Sequence, residues 1–259
     1  MNGKVLGRYD ATAMSTLFEQ AGIYKTLDAK GFADFEVSIN TPDQGISHTH
    51  LFARKHGERH LLLDACITEL GLAPELFRQQ GYPIDGPLDL VSLYWLREED
   101  PTAEFTSNRP ALPLQQHPGL GILRTAFPVV VRMARELNKD GVACMPKFFH
   151  DAAIFFHSRL FLFLDPRQQG RFEALLRDLR SLPLGTASLL LAADGVRDNE
   201  GNIVRWDFAP QVFPVSDVLR SYFNSTQYAA AVTAALESFR FRWDNESLMR
   251  IRQLTQPSS

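Results

Sequence analysis

Two hydrophobic periods divide this chain. Phe35, Val37 and Ile39 alternate with polar residues, as one face of a half-buried strand does. Leu120, Leu123, Phe127, Val130, Val131, Ala134 and Leu137 instead recur at helical spacing, up to a stop at Gly141. The strand period dominates the chain before that helix. His48-to-Arg54 and Arg59-to-Ile67 flank the turn Lys55-His56-Gly57-Glu58 and predict an antiparallel hairpin, entered through a turn at Pro42-Asp43-Gln44-Gly45. Leu88-to-Leu96, with Val91, Tyr94 and Trp95, predicts the next strand. Ahead of these, Asp10 caps an expected helix over Ala11–Ala21 that buries Met14, Leu17, Phe18 and Ala21 and ends at Gly22. Pro74-to-Gln80 reads as a short helix closed by Gly81.

Glu98-to-Leu114 is a long connection rich in Pro, Ser, Thr and Asn, and such a loop inside a domain is usually functional or inserted. The long helix follows it. Then come a short strand at Val142–Met145, a helix over Lys147–His157 and an apolar strand at Leu160–Leu164. This order predicts a mixed α/β sheet flanked by helices, with parallel strands on either side of the long helix. In the last third, Asp165 caps a helix that starts at Pro166, with Gln168 in the capping-box position. Ala187-to-Ala193 and Asn202-to-Phe208 read as strands around the turn Asp198-Asn199-Glu200-Gly201, followed by a helix over Tyr228–Phe239 and a frayed tail at Thr255–Ser259. The expected division is a domain over 1–165 and a C-terminal α+β extension over 166–259 that packs on or completes it.

Composition adds exclusions. The 259 residues are 45% hydrophobic and 22% charged, ordinary for a globular protein with a sizeable core. A net charge of −3 argues against a general electrostatic grip on nucleic acid. The N-terminus lacks the apolar core of a secretory signal, and no apolar run approaches the ~20 residues a membrane span requires. Cys66 and Cys144 are far apart and make no metal or redox spacing. The reading is a cytoplasmic protein with reduced thiols and no membrane or nucleic-acid partner; a homodimer is compatible with it.

The candidate chemistry begins at Gln116-His117-Pro118-Gly119-Leu120-Gly121, where the long helix opens. A helix mouth presents unpaired backbone N–H groups and the positive end of the helix dipole to an anion. Gln116, Gly119 and Gly121 match the signature of the GNAT superfamily of N-acetyltransferases: Gln or Arg, two residues, Gly, one residue, then Gly or Ala, between the fourth strand and the next helix. The element order over roughly 31–165 resembles that family too. The resemblance implies a central mixed sheet and an acetyl- or other acyl-coenzyme A cosubstrate. Its pyrophosphate would rest on Gln116, His117, Gly119, Leu120, Gly121 and Ile122. Val142-to-Met145 would be the strand that splays from its neighbour to admit the pantetheine arm.

Acyl transfer to an amine needs a base for the amine and a proton for the departing thiolate. Glu98 and Glu99, at the end of the strand before the loop, stand where the family often keeps its base. The family's acid is usually a tyrosine in the helix after the splayed strand. Here that helix offers Phe155, Phe156 and then His157, so His150 or His157 is the expected substitute. Cys144 is better read as a small core residue than as a nucleophile. His48 and His50 share a strand face, with His60 on the paired strand, but spacing identifies no carboxylate to support them and no metal is assigned. The expected function is N-acyl transfer to a small-molecule or protein amine. The alternative is a non-catalytic ligand-binding or interaction protein of the same fold, favoured by the absent tyrosine and by Pro118, which lacks an N–H. A hydrolase of the Gly-x-Ser-x-Gly type finds no such elbow in the chain.

Overall fold

The computed structural model describes residues 3–42, 45–106, 111–157 and 161–255, with side chains through 251. Asp43, Gln44, Leu160, part of the long loop and the end of the tail lie outside the described residues.

Turn chemistry places the first strands. β1 (Ala33–Asn40), β2 (Ser47–Lys55) and β3 (Glu58–Leu72) run antiparallel in sequence order. The β2–β3 turn is His56-Gly57, at φ 53° and 85°, the two left-handed residues that a tight hairpin loop requires. β4 (Leu88–Glu98) pairs antiparallel with β3. The helix α4 (Leu123–Glu136) then crosses over, and β5 (Gly141–Cys144) pairs parallel with β4, as the strand-helix-strand order predicted. β6 (Leu162–Phe163) and β8 (Gln211–Pro214) complete the sheet, whose order is β1-β2-β3-β4-β5-β8-β6. The protein is therefore a mixed α/β fold built on a seven-stranded, mostly antiparallel sheet. Residue 165 does not separate two sheets, because β8 comes from beyond it and sits between β5 and β6.

Helices cover both faces. α1 (Ala11–Gln20) and α4 bury Met14, Phe18, Phe127 and Met133 with Leu51, Ile67 and Val91 of the sheet. Asp10 caps α1 as expected, accepting the Ala13 N–H at 2.9 Å. On the other side, α3 (Pro74–Arg78) and α8 (Asp217–Phe223) bring Phe77, Leu219 and Tyr222 against Leu90 and Val212. α9 (Thr226–Ser238) joins them through Tyr228, whose hydroxyl donates to the Phe163 carbonyl at 2.6 Å. α5 (Phe149–His157), α6 (Pro166–Asp178), α7 (Leu184–Ala192) and α10 (Asn245–Thr255) enclose a third core around Phe172. α6 and α9 touch at Gly170, where a methyl group would overlap the Val232 carbonyl and the Ala235 side chain. No helix of the described residues is long and apolar enough to cross a membrane.

Several sequence expectations need correction. Ala187-to-Ala193 belongs to α7 and its C-cap, not to a strand, since an apolar run of Leu and Ala fits either element and helix propensity decides. Asn202-to-Phe208 is mostly irregular. The Asp198 turn does form, with Asp198 Oδ1 accepting the Glu200 and Asn202 amides, and β7 (Val196–Asp198) pairs instead with β9 (Phe241–Trp243). Among the described residues Gln168 completes no capping box, and its buried Nε2 has no hydrogen-bond partner. α2 (Ile23–Asp28), α8, β8, β9 and α10 were absent from the sequence reading. β8 is four residues long and opens directly after Pro210, which hides it from any pattern of alternation.

Two bulges in this sheet matter for chemistry. In β3, Leu62 is extra, because Leu51 faces Leu63 while Phe52 faces Leu61. In β4, Tyr94 is extra, because Cys66 faces Trp95 while Ile67 faces Leu93. Each bulge bends its strand and reverses which side chains share a face beyond it.

Candidate functional site

β4 and β5 pair from Leu90/Gly141 to Leu93/Cys144 and then part. Gly141 lets β5 start tight against its neighbours, since a Cβ would lie 2.7 Å from the Phe213 carbonyl. Two local features end the pairing at Leu93/Cys144. Pro146, two residues past β5, has no N–H to continue the ladder. The Tyr94 bulge turns the rest of β4 toward β3. A cavity of about 250 Å³ fills the resulting notch. Its walls are the far half of β4, the loop around Leu112–Gln115, the segment Cys144–Phe148 and the first turns of α5. A second, apolar void under α4 is only about 40 Å³ and lined almost wholly by hydrocarbon, too small for a substrate.

Glu98, Glu99 and Gly119 line the cavity from the end of β4 and the loop after it, and His150 and Asp151 line it from α5. α4 begins at Leu123, with Ile122 at its N-cap position and Gly121 at φ 72° just ahead of it. The helix thus starts at the glycines and carries Pro128 inside it, which removes one helical hydrogen bond. Its mouth is occupied. The Ile122 N–H donates to Glu98 Oε2 at 3.1 Å, and the Gln116 N–H donates to Glu99 Oε1 at 3.2 Å. The Asp100 amide, in turn, donates to the Pro118 carbonyl at 2.8 Å. Glu98-Glu99-Asp100 therefore ties the Gln116–Ile122 loop to the end of β4. Leu120 and Ile122 are fully buried anchors, while Gln116 and His117 line a neighbouring polar hollow with Arg97 and Glu99.

The α5 wall holds a buried polar chain. His150 Nδ1 is 2.8 Å from Ser188 Oγ on α7, and His150 Nε2 is 3.2 Å from Asp151 Oδ1. Nδ1 shares a hydrogen bond with the Ser188 hydroxyl, and Nε2 faces the Asp151 carboxylate in an ion-pair contact. Asp151 Oδ2 accepts the Phe148 N–H at 3.0 Å, so Asp151 caps α5 from within its first turn. Burial raises the Asp151 carboxyl above its ordinary 3.8, against the opposing pull of His150 and the nearby amides. Burial likewise lowers His150 from 6.5, while the Asp151 charge pulls it back up. His150 is thus a neutral imidazole at pH 7, wedged between Ser188 and Asp151, and Asp151 is the member of the chain that is partly open to the cavity.

His157 does not belong to this group. It lies two helical turns farther along α5, exposed, with its ring against Phe156. Cys144 is buried, with its Sγ 4.0 Å from Gln211 Oε1; burial and the Asp151 charge push its thiol well up, so it has no nucleophilic thiolate. Asp151 and Ser188 escaped the sequence reading. An acidic residue beside His150 at the start of a helix could have flagged Asp151, but nothing in an apolar run far along the chain marks Ser188.

The cavity's lip is apolar. Tyr94, Leu114, Trp95 and Met145 line it and are exposed large hydrophobics. No family model and no curated protein matches this sequence. Among solved structures, a chain described as a bacterial toxin aligns with 80% of this chain and 81% of its own length, at 14% identity and a TM-score of 0.34, a likeness too slight to carry an argument.

Proposed function

We propose that this protein transfers an acyl group from acyl-coenzyme A to an amine carried on an apolar or aromatic body. The observation that carries the reading is the parting of the parallel pair β4/β5 in mid-sheet, with the loop before α4 and a buried carboxyl–imidazole pair both lining the notch. The GNAT-like signature of Gln116, Gly119 and Gly121 adjoins that notch. In this reading the pantetheine arm enters between the strands and the exposed Tyr94, Trp95 and Leu114 receive the acceptor.

Asp151 takes the role that sequence position gave to Glu98 or Glu99. The amine nitrogen attacks the thioester carbonyl, the C–N bond forms and the C–S bond breaks. The proton leaves nitrogen for the Asp151 carboxylate and passes from there to the departing thiolate sulfur, so the residue ends as it began. A carboxyl raised by burial suits both halves of that transfer, and His150, fixed by Ser188, holds it in place. The pyrophosphate would meet the α4 mouth only after Glu98 swings off the Ile122 amide.

That Glu98 contact also favours a second reading, a non-catalytic ligand-binding or interaction protein of the same fold whose loop no longer serves a phosphate. Calorimetric titration with coenzyme A and acetyl-coenzyme A, followed by thiol release in the presence of aromatic and aliphatic amines, separates the two. The first reading predicts saturable binding at micromolar concentration and amine-dependent thiol release. Binding without release selects the second, and no heat at millimolar ligand removes the coenzyme from both.

A further inference from the structure

On the face of β2 turned away from α1 and α4, the strand period and the register bring three metal-type ligands together. His48 and His50 are two apart on β2, and Asp64 is the cross-strand partner of His50 on β3. His50 Nε2 is 3.4 Å and His48 Nδ1 3.8 Å from Asp64 Oδ1, and one ligand atom from each of the three residues lies within 4.8 Å of the others. His60, which spacing alone would group with them, is removed by the Leu62 bulge. It pairs with Ala53, on the core side of β2, and its ring meets Phe32.

The carboxylate is the telling atom. Asp64 Oδ1 is buried and, among the described residues, has no hydrogen-bond partner: His48 Nδ1 at 3.8 Å is too distant to donate, and His50 Nε2 at 3.4 Å is not aligned to do so. Arg97, the register partner of Asp64 on β4, makes no ion pair with it. A buried carboxylate oxygen without a donor is costly, and a cation bound jointly by the two imidazoles satisfies it. Ligand separations of 3.4 and 3.8 Å match two donors on one ion at about 2.0–2.2 Å each.

We propose that His48, His50 and Asp64 bind one divalent transition-metal ion, Zn²⁺ or a neighbour such as Co²⁺ or Ni²⁺. The nitrogen-rich set excludes Mg²⁺ and Ca²⁺, which take oxygen ligands. Three protein ligands leave coordination positions for water on the exposed side. The ion clips β2 to β3 at the His50/Asp64 register, and nothing in this proposal depends on acyl transfer.

The full-length chain, stripped with chelator, is titrated with Co²⁺ by visible absorption and with Zn²⁺ by calorimetry. The expected result is one equivalent bound, ligand-field bands, and a melting temperature raised by roughly 5 °C at a hundredfold excess over Kd. Asp64→Ala, His48→Gln and His50→Gln each weaken uptake at least tenfold, whereas His60→Ala and added millimolar Mg²⁺ leave it unchanged. The two histidine variants change partly exposed side chains, so they remain informative if Asp64→Ala fails to fold; melting in chelator checks each fold. Absence of saturable Co²⁺ uptake overturns the proposal. So does stoichiometric uptake that survives His48→Gln and His50→Gln, or that is lost with His60→Ala.

Discussion

Glu98 and Asp151 line one cleft from different elements, and each carboxylate caps a helix. Glu98 accepts the Ile122 amide at the mouth of α4, and Asp151 accepts the Phe148 amide at the mouth of α5. They differ in what surrounds them. Glu98 ends a strand beside the acidic Glu99 and Asp100, with its charge spent on a backbone donor. Asp151 is held down against His150 in a buried setting that raises its carboxyl. Position along the chain singles out the first, while burial and pairing single out the second. A base is defined by its surroundings more than by its place after a strand.

The largest expected effect tests Asp151. Asp151→Asn keeps the size of the side chain and removes its proton chemistry, so amine-dependent thiol release should fall about 10²–10³-fold. In the wild type, the acid limb of kcat/KM should lie above 3.8, because burial raises the carboxyl, and the variant's residual rate should lack that limb. A variant that turns over normally would return the role of base to Glu98 or Glu99.

Glu98→Gln gives the converse. If Glu98 is a cap that shields the α4 mouth, neutralising it removes a like charge facing the pyrophosphate, and coenzyme A should bind up to about tenfold more tightly. The weakened cap should lower stability by about 1 kcal/mol, read from denaturant midpoints. Weaker coenzyme binding together with a rate loss as large as that of Asp151→Asn would break the contrast between the two carboxylates.

What could be read in the sequence follows from how local each signal is. The β2–β3 hairpin announces itself through His56-Gly57 and alternation, and α1 through Asp10, because each is set by contiguous residues. The long helix and the parallel strands beside it were legible for the same reason. β8 was not, although it completes the sheet, because a four-residue strand bounded by prolines owes its state to neighbours far away in sequence. The site was half legible. Glu98, Glu99, Gly119 and His150 do converge on one cavity. The Ser188 contact and the burial of Asp151 depend on how α7 packs against α5. His60 was grouped with the wrong face because a one-residue bulge leaves no mark in composition or period.

The smallest effect concerns stability, and it isolates the surroundings of Asp151 from those of Glu98. Burial lowers the folded His150 value below its unfolded 6.5, so its contribution is intact above that pH and is lost as pH falls, when the unfolded chain takes up a proton that the folded chain refuses. Asp151 acts in the opposite sense. Its raised value means that the folded chain gains a proton first, so its burial penalty is relieved as pH falls toward 3.8. On acidification through 6.5 the His150 effect removes stability and the Asp151 relief offsets part of it, so the wild type should lose stability between pH 7.5 and 5.5 with a slope below the one-proton limit of about 1.4 kcal/mol per pH unit. His150→Gln should flatten that slope, and Glu98→Gln should leave it unchanged. Denaturant midpoints at three pH values suffice to decide it. Parallel slopes for wild type and His150→Gln would mean that His150 titrates alike in the folded and unfolded chains, and the buried chain from Ser188 to Asp151 would lose its electrostatic basis.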